Sequence, residues 1–278
     1  MKYQNSFKTS FLIKLKNFIE AIKFRQYKGI SPYIFNGTST LFNVSTKSYI
    51  EKQIFNHQNH CGYLLEVLSN FIVPNKTFLD VGCNIGSISL PLANYFKETN
   101  FHLFEPDEDI FLKLESNIKL NNLKNVKPNK IALFSSISKK TFFKTSPKSF
   151  NQGTGSLIKN KDIKNCTYKE ITTETIDSYI EKIGLLPEEI CFIKLDVQGL
   201  EYEVLKGASN LLMNFKIPIL LEYEKSYDNK YSETRINLEN FLQKKKYNLY
   251  KVSRLKIGFI EKVKSFSNSD GNYLCLPI

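Results

Sequence analysis

An α/β protein, with a mostly parallel sheet covered by helices on both faces, is the fold class this sequence predicts, and three observations predict it. From residue 76 onward, short runs dense in Ile, Leu, Val and Phe alternate with stretches whose apolar residues recur at helical spacing. Such alternation builds a parallel sheet buried on both sides. One of these strands ends in an acid and passes through a glycine turn toward a helix, the place where open α/β sheets bind ligands. Third, the chain has no internal repeat, and its longest apolar runs, such as 217–221, fall far short of the roughly 18 residues a membrane span needs.

The elements follow in order. Before residue 75, Phe11, Leu15, Phe18 and Ile22 form an apolar stripe flanked by Lys14, Lys16, Lys23 and Arg25. This basic amphipathic helix would either cover the domain that follows, the commoner use of such a face, or make peripheral contact with an anionic membrane. Residues 31–55 mix aromatic and β-branched residues with Gly and Asn, and a second helix is expected where Tyr63, Leu64, Val67, Leu68 and Phe71 recur. Residues 1–74 are therefore read as an N-terminal helix and a substrate-side extension, and residues 75–278 as the main domain. In that domain, buried strands are expected at 77–81, 101–104, 190–195 and 217–223. Helices are expected at 85–96, 109–120, 173–183, 200–213 and 233–245. The chain should finish with a strand at 247–252 and a hairpin at 257–263 and 273–276, antiparallel at one sheet edge.

The 278 residues carry 39 Lys and Arg against 27 Asp and Glu, a net charge of +12. A nucleic-acid partner could use that charge, but the lysines are spread along a chain rich in Lys, Asn and Ile, so a compositional origin is favoured. The five cysteines (Cys61, Cys83, Cys166, Cys191, Cys275) form no C-x-x-C pair, signal neither zinc nor disulfides, and suit a reducing cytoplasm. A cleaved secretory signal is not expected, because lysines interrupt the N-terminal apolar positions.

The chemistry concentrates in residues 78–86, FLDVGCNIG. Gly82 and Gly86 let the backbone approach a ligand, the following helix would offer free N–H groups to a carboxylate, and Asp80 before the turn could meet an ammonium. The G-x-x-x-G spacing is not the G-x-G-x-x-G of dinucleotide binders, and a zwitterionic amino-acid ligand suits it better than a pyrophosphate. One α/β repeat later Glu105 ends the next strand, placed to accept two ribose hydroxyls. Together these features describe S-adenosylmethionine binding.

The segments VGCNIG, LFEP, IKLDVQGLEYEVLKGA and ILLEYE, in this order over residues 77–224, resemble the FkbM-type family of S-adenosylmethionine-dependent methyltransferases. The resemblance implies a class I methyltransferase (Rossmann-like) fold with a seven-stranded sheet whose last strand is antiparallel, and O-methylation of hydroxyls on glycans, lipid-linked sugars or other small molecules. Asp80, Gly82, Cys83, Asn84 and Gly86 then match the cofactor loop and Glu105 the ribose acid. Cys83 stands where the family commonly has Ala, a change of little consequence. Gln198 stands where it commonly has Glu, which removes a charge beside Asp196 and weakens any metal site there.

Methyl transfer needs the acceptor oxygen held near the methyl group and its proton removed. Asp196, at the carboxyl end of its strand, is the expected base or substrate-orienting acid, and Glu222, on the neighbouring strand, the second candidate. Glu201 is read as a structural cap. Mg²⁺ is not signalled, and only Asp196, Glu201 and Glu222 could be its ligands. His57 and His60, expected to share a helix face with Cys61 following, read as a solvated polar face in preference to a metal pair or a base. His102 reads as a satisfied core histidine. Residues 141–170 read as a polar loop over the cleft. Three other functions compete: a non-catalytic S-adenosylmethionine-binding scaffold; a nucleic-acid methyltransferase, disfavoured because neither an Asp/Asn-Pro-Pro-aromatic turn nor a Pro-Cys dipeptide occurs; and an NAD-linked oxidoreductase, weakened by the missing G-x-G-x-x-G.

Overall fold

The computed structural model describes residues 27–144, 155–157, 167–226, 234–266 and 269–278. The N-terminal amphipathic helix and most of the polar segment expected over the cleft lie outside them. The described chain opens with a hairpin, β1 (Lys28–Phe35) and β2 (Thr38–Ser45). Its turn, Asn36-Gly37, has φ of 46° and 75°, the left-handed pair that matches strand twist. Two helices follow, α1 (Tyr49–His57) and α2 (Gly62–Ser69).

Then come β3 (Thr77–Val81), α3 (Ser89–Tyr95), β4 (Asn100–Phe104), α4 (Glu108–Leu120), β5 (Val126–Asn129), β6 (Ala132–Leu133), β7 (Lys139–Lys144) and β8 (Thr167–Glu174). They are followed by α5 (Ile176–Ile183), β9 (Ile190–Leu195), α6 (Glu201–Lys206), α7 (Ser209–Asn214) and β10 (Ile219–Tyr223). The chain ends with α8 (Thr234–Lys244), β11 (Tyr247–Val252), β12 (Ile260–Val263) and β13 (Gly271–Pro277).

The main sheet has the order β12-β11-β13-β10-β9-β3-β4-β5. Strands β5, β4, β3, β9 and β10 are mutually parallel, and β13 lies antiparallel between β10 and β11. Seven of these strands make the expected sheet; β12 is an eighth, an added edge. The terminal hairpin also differs from expectation. β12 pairs back onto β11, and the last strand inserts between β10 and β11 instead of pairing with β12.

Three further elements depart from their expected bounds, each for a local reason. The helix after the glycine turn starts at Ser89 and not near residue 85, because Asn84 and Gly86 have φ of 53° and 84°, outside right-handed helix space. The helix expected over 200–213 is broken into α6 and α7 at Gly207, where a Cβ would sit 2.1 Å from the Phe134 carbonyl oxygen. The two ends of the expected 141–170 loop are strands: β7 and β8 pair from Lys139↔Thr172 to Lys144↔Thr167.

Side chains alternate across the sheet. Leu79, Phe104, Ile193, Leu195 and Leu221 pack with α5–α8 on one face. Phe78, Phe101, Phe192 and Leu220 pack on the other with α3, α4 and the extension, whose Tyr33, Phe42, Ile54 and Leu65 belong to the same apolar cluster. The extension is thus part of the core, and it forms a wall over one face of the sheet. Among the described residues no helix is long and apolar enough to cross a membrane.

Candidate active site

The polar residues of interest gather at the carboxyl ends of β3, β4, β9 and β10. Asp80 and Lys194 face each other across β3 and β9 in register. The Asp80 carboxylate, fully buried, accepts from Lys194 Nζ at 2.8 Å and from Ser89 Oγ at 2.5 Å. Asp80 therefore meets an ammonium of its own chain. Within the protein this carboxylate holds Lys194 and the start of α3.

The turn that follows is drawn close to β9. Gly82 has φ of 78°, and a Cβ there would lie 1.9 Å from the Asp196 carbonyl oxygen. Both Gly82 N and Cys83 N donate to the Phe104 carbonyl, at 3.0 and 3.1 Å. Cys83 is buried, its thiol raised by that burial. Glu105, just past β4, accepts from Asn84 N at 3.1 Å and from Asp107 N at 2.8 Å. The second acid thus lies against the glycine turn. Its burial pushes the carboxyl up to about 8, against the two amides that favour the ionised form.

Asp196 follows β9 in a tight loop with φ of 58° at Gln198 and 95° at Gly199. Glu201 holds this loop: its Oε1 accepts from Val197 N at 3.0 Å and from Gly199 N at 3.3 Å. The Gln198 amide donates to Asp196 Oδ1 at 3.1 Å, a bond that a Glu at this position could not donate. Glu222, near the end of β10, shares a hydrogen bond with the Asp196 carboxyl, and that neighbouring charge, followed by burial, pushes Glu222 well above the carboxylate range.

The extension closes this side. His60 is drawn in beside Asp196, its Nδ1 3.2 Å from Ser87 Oγ, and burial lowers it to about 4, so it is neutral at pH 7. This corrects the reading of His57 and His60 as one solvated helix face. Gln58, at φ 52°, ends α1 after His57, which is exposed, and turns His60 inward. Tyr63 accepts from Asn272 Nδ2 at 3.2 Å and from the Arg254 guanidinium, and Asn272 pairs with Glu222 across β13 and β10. His102 lies in β4 with Nδ1 3.2 Å from the Tyr179 hydroxyl.

Among the described residues no cluster of three or more His, Cys, Asp or Glu is arranged to hold a metal. Of the three acids considered for Mg²⁺, Glu201 is turned onto backbone amides and Asp196 is bonded by an amide donor. Lys194 was missed in the sequence, although a Lys inside an otherwise apolar strand is a usable signal of a buried partner. Tyr63, Arg254 and Asn272 had no signal, since only the topology brings them together.

The buried acids imply a pH dependence. Burial raises Glu201 to about 7 and Glu105 to about 8, against 4.5 for an unperturbed glutamate. Between these values the unfolded chain binds fewer protons than the folded one, so stability falls as pH rises. The lowered histidines, His60 and His102, oppose this only across the upper part of their unfolded titration near 6.5, by less than the two carboxyls contribute, and above about pH 7.5 they are neutral in both states. Urea midpoints should therefore be lower at about pH 8.5 than at about pH 6.5, and Glu105→Gln should flatten the difference. Equal midpoints in the wild type would mean that these carboxyls ionise normally.

The strand order, six parallel strands with the antiparallel β13 inserted before the last of them, β11, and the glycine turn after β3 define a class I methyltransferase-type protein. The model of the Methyltransferase FkbM domain matches residues 80–249, more than half of the chain, and the chain belongs to that family. No curated protein matches it in sequence.

Among solved structures it is similar to methyltransferase FkbM from Methylobacillus flagellatus KT, at 14% identity and TM-score 0.46, covering 72% of this chain and 43% of that one. It thus spans less than half of that protein's length. Precorrin-6y C5,15-methyltransferase from Geobacter metallireducens GS-15 is 12% identical at TM-score 0.42, with 77% and 88% covered. TYW2 from M. jannaschii, solved in complex with AdoMet, is 14% identical at TM-score 0.40, with 91% and 88% covered.

Proposed function

We propose that the protein is an S-adenosylmethionine-dependent O-methyltransferase acting on a hydroxyl of a glycan, a lipid-linked sugar or another small molecule. The observation that carries this reading is the Asp196–Glu222 carboxyl pair, on adjacent strand ends beside the glycine turn. Its family membership supports methyl transfer. The turn from Gly82 through Asn84 to Gly86 would cradle the methionine part of the donor, with Cys83 packed beneath it, and Glu105 would accept from the ribose hydroxyls. Asp80 would act through Lys194 and Ser89, keeping the turn in shape.

An alcohol is a poor nucleophile until its proton has somewhere to go. Asp196 would take that proton as the hydroxyl oxygen bonds the methyl carbon and the carbon–sulfur bond breaks, leaving S-adenosylhomocysteine. Glu222, holding its own proton, would keep a second negative charge away from Asp196 and donate to it. Gln198 would orient the same carboxylate.

Titration calorimetry with S-adenosylmethionine, S-adenosylhomocysteine and NAD tests the cofactor. Micromolar binding of the first two and none of NAD is expected. Transfer of labelled methyl to hydroxylated glycans, and not to nucleic acid, would then test the acceptor class. Failure of both adenosyl ligands to bind would remove the enzyme reading altogether.

A further inference from the structure

The tip between β11 and β12 presents a surface that neither the fold nor the site uses. β10 and β11 are both antiparallel to β13, so β11 runs parallel to β10 and its carboxyl end, Val252, points the same way as Glu222 and Asp196. The loop that follows therefore projects from the edge of the sheet where the candidate site opens. Arg254, at its root, reaches Tyr63 in the site's wall.

Beyond Arg254 the side chains face solvent. Leu255 is 95% exposed, Ile257 72% and Phe259 48%, and Leu255 is the most exposed large apolar residue among those described. Isolated exposed apolar residues are ordinary, but three at alternate positions on one projecting loop are not.

The loop's shape does not depend on them. Ser253 N donates to the Phe259 carbonyl at 3.0 Å, Ser253 Oγ accepts from Lys256 N at 3.0 Å, and Phe259 N donates to the Lys256 carbonyl at 3.1 Å. The charge around it has one sign. Residues 251–264 hold Lys251, Arg254, Lys256, Lys262 and Lys264 against the single acid Glu261. Lys256 Nζ lies 5.3 Å from the centre of the Phe259 ring. Apolar tips set among lysines suit the boundary between anionic headgroups and acyl chains, where the apolar groups leave water and the ammonium groups stay with phosphates.

We propose that the β11–β12 tip docks the protein on an anionic bilayer, with Leu255, Ile257 and Phe259 inserted at the headgroup boundary, Lys256 at phosphate level, and Lys262 and Lys264, further back along β12, adding to the attraction toward the charged surface. The site then opens toward the lipid surface. Its acceptor hydroxyl is accordingly carried on a lipid, a conclusion that rests on the methyl-transfer reading, whereas the docking does not.

Sedimentation of the full chain with phosphatidylcholine vesicles, with and without phosphatidylglycerol, tests the docking. Binding to the anionic vesicles only is expected, with at least about a tenfold loss for the double variant Leu255→Glu, Ile257→Glu and a smaller loss for Lys256→Glu. Because both apolar positions are exposed, the double variant should keep the wild-type urea midpoint, which serves as the folding control whether or not a cofactor binds. No sedimentation of the wild type with anionic vesicles, equal sedimentation with neutral ones, or a double variant that binds like wild type would each overturn the proposal. An occupant such as a protein partner would then have to be sought.

Discussion

Replacing Asp80 with alanine is expected to destabilise the protein by about 3–5 kcal/mol, because it leaves the Lys194 ammonium buried without its partner. The pair is 2.8 Å apart with side-chain exposures of 5% and 0%, so solvent cannot replace the lost carboxylate. Ser89, at the first position of α3, loses its acceptor in the same step. Asp80→Ala combined with Lys194→Met should recover much of the loss, since the uncompensated charge goes with the carboxylate. Urea denaturation of the two variants and wild type measures this. Equal stability of Asp80→Ala and wild type would mean that the pair is open to water. Loss of cofactor binding in Asp80→Ala is expected as well, but as a result of the distorted turn. The double variant, stable yet lacking Lys194, should therefore bind the cofactor better than Asp80→Ala alone.

Asp196→Asn is expected to lower turnover by about 10²–10⁴-fold, the usual range for a lost general base, with cofactor affinity nearly unchanged. The amide matches the carboxylate in size and cannot take the acceptor's proton. Glu222→Gln should cost less, because an amide can still donate to Asp196 but no longer shares a proton with it. The pH profiles separate the two roles. Glu222 is raised chiefly by the charge of Asp196, so wild-type turnover should change in the alkaline range as Glu222 ionises, and this change should be absent in Glu222→Gln. Steady-state methyl transfer with a hydroxyl acceptor across pH checks both. Unchanged turnover in Asp196→Asn would move the base to His60, which is neutral at pH 7 and lies beside Asp196.

The parts of this molecule that were legible in the sequence are those in which neighbours in the chain do the work. β3, β4, β9 and β10 are short runs dominated by apolar residues, broken only by groups such as Asp80, His102, Lys194 and Glu222, because both faces of a central parallel strand are covered. The glycine turn is legible because positive φ and close backbone approach leave little choice of residue at 82 and 86. The hairpin of β1 and β2 carried a usable signal in Asn36-Gly37 that went unread. What the chain order conceals is contact between distant segments. His60 and Tyr63 reach Asp196 and Glu222 only because Gln58 turns the chain after α1 and the extension lies across that face of the sheet. Periodicity reports that a residue is buried, not which charge meets it, and so Lys194 and Asp80 looked unrelated.

The absent side chain at Gly82 has a further consequence. Its backbone and that of Asp196 touch, with no room between them for even a methyl group, and Asp196 N is itself bonded to the Val81 carbonyl at 2.9 Å. If the first loop seats the methyl donor and the second carries the proton acceptor, the two halves of the reaction are fastened together by main chain alone. The distance along which the methyl group travels would then be set during folding and would not be readjusted at each turnover, which lowers the reorganisation the chemical step requires. Adaptation to a new acceptor would have to come from the surrounding wall, where the extension and the C-terminal strands can vary without disturbing that fixed distance.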